Sequence, residues 1–160
     1  MKQLRQGREQ RRRMSEYKNG LSAIKALYEE YITEVEQLER NKKPADGLFG
    51  LGKKTADAPC HDRFSERLRK MLEDYAAEKP DTSDVRAVLE YIYSVQAEHK
   101  DPVSAYWLMN AVHGFTVDLV KMLSREDASA LCELYEKNCP RSERFPVQKK
   151  VIKALKSAAK

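Results

Sequence analysis

The chain has 160 residues, 41% of them hydrophobic and 34% charged, with a net charge of +5. That length supports one domain with a real core. The charged fraction, against about 25% in an average soluble domain, excludes a membrane-embedded protein, while the apolar fraction argues against wholesale disorder. The charge is also segregated. Residues 1–13 carry six basic side chains, Arg11, Arg12 and Arg13 among them, against the single acid Glu9. Residues 149–160 carry five lysines and no acid, so the remainder, 14–148, is mildly acidic.

The start, MKQLRQGREQRRR, has no apolar stretch after its positive charges and does not read as a secretory signal. Residues 1–14 are expected to be a basic, disordered tail, and 15–160 a single helical domain. Three cysteines, Cys60, Cys132 and Cys139, are an odd number and suit reduced thiols in a cytoplasmic setting. The most apolar stretch, near Ala105–Val120, is interrupted by Asn110, His113 and Asp118, so no membrane span is expected.

Apolar residues recur at steps of three and four from Met14 through Tyr17, Leu21, Ile24, Tyr28, Tyr31 and Val35 to Leu38. That spacing predicts one long helix over about 15–42, ended by Lys43-Pro44, with tyrosines half-buried along its seam. A glycine-containing loop follows at 44–58. A second helix is expected over 59–78 and a third over 84–99, the latter capped by Thr82 or Ser83. Asp101-Pro102 opens the most apolar segment, expected as one central helix to about residue 123. Ser124 with Asp127 three residues on opens a fifth helix to about Lys137, and Pro146 opens a sixth.

Nothing alternates with period two for long, so the fold class is all-α: an antiparallel bundle of about six helices. Pro59, Pro102 and Pro146 fall 43 and 44 residues apart at helix starts. Asp84–Glu90 also aligns with Asp127–Glu133 at an offset of 43. Stacked helical hairpins of HEAT-like period are therefore the alternative architecture.

Four features invite a chemical reading. The loop places Gly47, Gly50, Gly52, Lys53 and Lys54 where backbone N–H groups and two ammonium groups could hold an anion. It approaches a phosphate-binding loop, but Lys54 stands in place of the hydroxyl residue and a helix, not a strand, precedes it. The competing reading is an Ω-type loop with Leu48, Phe49 and Leu51 packed inward. Cys60, with His61 and Arg63 beside it, falls in the first turn of a helix, where a thiolate is stabilised. That makes Cys60 and His61 the reactive-thiol candidates, against a merely buried cysteine. His113 is expected at the edge of the central helix's apolar arc, hydrogen-bonded and not catalytic.

The fourth feature is the last helix, whose wheel places Lys149, Lys150, Lys153, Lys156 and Lys160 opposite an apolar side. This is either a solvated face or a ridge for a polyanion, joined by Arg11, Arg12 and Arg13. Cysteine and histidine spacings match no metal site, no cofactor is implied, and no catalytic constellation stands out. The expectation is a non-enzymatic module that meets a protein partner, or a second copy of itself, along helix 15–42. The alternative is a nucleic-acid-associated protein gripping polyanions with its basic ends.

Overall fold

The computed structural model describes residues 20–41, 58–99 and 106–160. These form helices α1 (Gly20–Arg40), α2 (Pro59–Ala77), α3 (Thr82–Glu98), α4 (Trp107–Ala111), α5 (Val117–Val120), α6 (Arg125–Asn138) and α7 (Pro146–Ala158). A 3₁₀ segment, Val112–Thr116, joins α4 to α5, and a 3₁₀ turn, Arg141–Glu143, precedes α7. Among the described residues the fold is all-α, a helical bundle around one shared hydrophobic core. The tail 1–14 and the loop residues Gly47, Gly50, Gly52, Lys53 and Lys54 lie outside the described residues.

Local chemistry accounts for several helix starts. Pro59 and Pro146 stand in the first turns of α2 and α7, where a missing N–H costs nothing. Ser124 Oγ accepts the Asp127 N–H at 3.1 Å, so the expected cap of α6 is present. The cap of α3 differs from expectation: Asp81 holds the extended cap position, and the Thr82 hydroxyl turns instead toward the Met122 carbonyl at 3.4 Å.

Antiparallel pairing of α1 with α2 is fixed by Arg63–Glu34 at 2.6 Å and Arg67–Glu30 at 2.8 Å. Neighbours within each layer run parallel instead. Arg86 reaches Asp127 at 2.7 Å, and farther along both helices the Tyr93 and Tyr135 rings sit 4.7 Å apart, which sets α3 parallel to α6. Tyr75 packs under Gly20 near Asp81 and Asp84, while Tyr106 lies beside His99 near Glu36 and Glu39; α1 is therefore parallel to α3. Helices α1, α3 and α6 form one layer. Packed behind them, α2 and α7 flank the segment from Trp107 to Val120. Parallel neighbours within a layer are what stacked hairpins produce, and the contacts Arg86–Asp127 and Tyr93–Tyr135 join residues 41 and 42 apart, close to the offset visible in the sequence.

The central segment is not the continuous helix expected. Thr116 Oγ1 donates to the His113 carbonyl at 2.7 Å and also meets the Tyr93 hydroxyl at 2.7 Å. A side chain taking a carbonyl three residues back competes with the i to i−4 ladder, and Gly114 adds no helix propensity of its own. The segment tightens into 3₁₀ geometry there. Gly114 faces Val147 of α7: a Cβ there would meet Val147 Cγ1 at 3.6 Å.

Between Ile24 and Val35 the α1 seam is buried by its own chain. Ile24, Leu27, Tyr28, Tyr31 and Val35 are all at most 3% exposed. Tyr28 and Tyr31 are thus core residues with dry hydroxyls, not the half-buried ones expected, because α2 and α3 close over them on two sides.

Candidate functional site: a basic groove on the last helix

Helix α7 is amphipathic in a way that fixes its lysines. Val151 and Leu155 are fully buried, and Gln148 Nε2 donates to the Asn110 carbonyl at 3.0 Å, anchoring one face on the central segment. The opposite face is left to solvent. Lys149, Lys153 and Lys156 follow at steps of four and three, a stripe about 10 Å long at 1.5 Å per residue, and Lys160, just past the helix end, joins them in lining one groove. Lys150 sits about 100° round the helix from Lys149 and leaves the stripe, coming near Asp118 instead.

The stripe forms one wall of an open groove of about 640 Å³. The other wall is the 3₁₀ turn before α7, which contributes Arg141 and Arg144. Arg144 is held in place: its Nε donates to the Cys139 carbonyl at 3.0 Å, and its Nη1 lies 3.7 Å from Glu136. Glu136 also meets Lys156 Nζ at 2.8 Å, and that bond holds its carboxyl below the usual carboxylate range. One carboxylate thus serves two of the six cations, and the groove lining itself contains Ile152 and Ser157 but no Asp or Glu.

The sequence puts Lys149, Lys150, Lys153, Lys156 and Lys160 on one basic ridge; the structure brings all but Lys150 to the groove and adds Arg141 and Arg144. Arg141 and Arg144 lie in a linker with no local signal for folding against the lysine stripe. Arg11, Arg12 and Arg13 lie outside the described residues.

The other candidates look different in three dimensions. Cys60 is buried, and burial pushes its thiol pKa up, with Glu34 adding to the effect and Arg63 opposing it. A helix start alone does not hold a thiolate when the side chain is taken out of water. His61 is also buried, its Nδ1 2.7 Å from the Tyr31 hydroxyl and its ring 5.8 Å from Trp107. His113 lies inside the core, not at its edge, with Nδ1 2.8 Å from the Tyr135 hydroxyl. Burial lowers its pKa to about 4, only partly opposed by the Ile92 carbonyl. It is neutral near pH 7 and shielded from any substrate in solvent.

Among the described residues no group of three or more metal-ligating side chains comes together, and no helix is long and apolar enough to cross a membrane. A second groove, between α1 and α2, is largely apolar, and its two charges, Glu30 and Arg67, pair with each other. No protein family, curated protein or solved structure matches this chain.

Proposed function

We propose that the protein binds nucleic acid through the groove between α7 and the Arg141–Glu143 turn. The observation that carries this is the groove's lining: six cations and no acid, four of the cations lysines in a row along one wall. Arg141 suits a bidentate contact to phosphate oxygens, and four lysines on flexible stems supply charge along the backbone. Binding of this kind is electrostatic, largely indifferent to base sequence, and sensitive to salt. The arginines at 11–13 add to the same grip if both ends engage one polyanion. Free thiols at Cys60 and Cys132 fit a reducing, cytoplasmic setting for this work.

The second reading, a protein partner or second copy docking along α1, draws less support, because the chain itself covers Ile24, Leu27, Tyr28, Tyr31 and Val35. The test is fluorescence anisotropy with labelled oligonucleotides at 50 mM salt. The wild type should bind at micromolar concentration, and Lys149→Glu with Lys153→Glu should abolish binding without altering the circular dichroism spectrum. Unchanged affinity in that variant would place the binding elsewhere and refute the groove.

A further inference from the structure

Phe145 is 68% exposed, the most exposed large hydrophobic among the described residues, ahead of Trp107 at 46% and Leu38 at 37%. Leaving a phenyl ring in water forgoes burial that a core position would have gained. Its location relates it to the groove. Phe145 occupies the cap position at the start of α7, between Arg144, which lines one wall, and Lys149, one turn along the other. Its carbonyl accepts the Lys149 N–H at 3.1 Å, and Pro146 fixes the first turn behind it. On the other side, Arg144 is tied to the Cys139 carbonyl. The ring therefore stands on a backbone corner secured from both directions, with only its two side-chain torsions to settle on binding.

Building on the proposed nucleic-acid reading, we infer that the groove selects single strands, with Phe145 as the stacking platform for an unpaired base. A basic track beside an exposed aromatic ring is the combination by which single strands are held without sequence preference: cations follow the phosphates while a base face lies on the ring. A duplex satisfies only the first half, because its bases are already stacked on one another. The lysine stripe therefore sets affinity for either form, and Phe145 sets the difference between them. The partner is a single-stranded DNA or RNA segment of a few nucleotides, read through its backbone and one base face.

The experiment compares wild type, Phe145→Ala and Phe145→Trp by anisotropy with a labelled 20-nucleotide oligothymidine and a 20-base-pair duplex. Phe145 is exposed, so its replacement leaves the core intact. Phe145→Ala should weaken single-strand binding by about tenfold while leaving duplex affinity and the salt slope as they were. Phe145→Trp should restore the affinity, and its added indole fluorescence should be quenched by the oligonucleotide. Equal single-strand affinity in wild type and Phe145→Ala, or an equal loss for both nucleic acids, would overturn the stacking role and leave the groove reading standing. A self-association that disappears in Phe145→Ala would overturn it too, by assigning the ring to a second copy. Absence of binding by the wild type to either nucleic acid at 50 mM salt would bring down both.

Discussion

The Tyr135 hydroxyl lies 2.8 Å from His113 Nδ1 in the middle of the core, tying α6 to the 3₁₀ break of the central segment. The Tyr135 and Tyr93 rings are in contact, and Tyr93 in turn reaches Thr116. The polar groups that shape the break are thus all shared between the two layers of helices. Their protonation has a consequence for stability.

With a folded pKa of about 4 against an ordinary value of 6.5, the unfolded chain takes up a proton at His113 that the folded chain refuses. This stability contribution is complete above pH 6.5 and is lost as pH falls toward 4. Between pH 7 and pH 5 the loss amounts to about 2 kcal/mol. Urea titrations at the two pH values should show it in the wild type and not in His113→Gln. A His113 imidazole that titrates in the folded protein near pH 6.5 by nuclear magnetic resonance would contradict it.

Tyr28 and Tyr31 sit on the same face of α1 and should respond oppositely to loss of the hydroxyl. The Tyr28 hydroxyl is fully buried with no hydrogen-bond partner among the described residues, whereas that of Tyr31 is 2.7 Å from His61 Nδ1. Tyr28→Phe should leave stability unchanged or raise it by about 1 kcal/mol, and Tyr31→Phe should lower it by about 1–2 kcal/mol. The urea midpoints of the two variants would decide; equal shifts would refute the assignment.

Two glycines should also separate. A Cβ on Gly20 would stand 2.6 Å from Cε2 of Tyr75, a buried ring with little room to move, so Gly20→Ala should cost about 1–3 kcal/mol. A Cβ on Gly114 would make only an ordinary contact with Val147, and Gly114→Ala should be neutral or stabilising by about 0.4–1 kcal/mol. Thermal melts of both variants check the contrast, and a larger loss at Gly114 than at Gly20 would contradict it.

What could be read from the sequence was whatever depends on near neighbours. The prolines opening α2 and α7, the Ser124 cap and the lysine stripe of α7 are all set by residues within a turn or two. The break at Val112–Thr116 was not legible, since it draws on the Tyr93 hydroxyl 23 residues before Thr116. The burial of His61 and His113 likewise depends on Tyr31 and Tyr135, which are distant in the chain. Cys60 shows the same division: its place in a first turn was visible, but the burial that raises its pKa is tertiary. The groove was half legible, because α7 declares its own cations while the Arg141–Glu143 turn joins them only after the chain folds back.

The most direct test of the groove is the salt dependence of single-strand binding. Each phosphate contact contributes about 0.7 to the slope of log affinity against log salt concentration. Replacing Lys149 and Lys153 by glutamine should therefore reduce the wild-type slope by about 1.4 between 50 and about 200 mM salt. A slope unchanged by the double substitution, or no binding at 50 mM salt, would contradict the account.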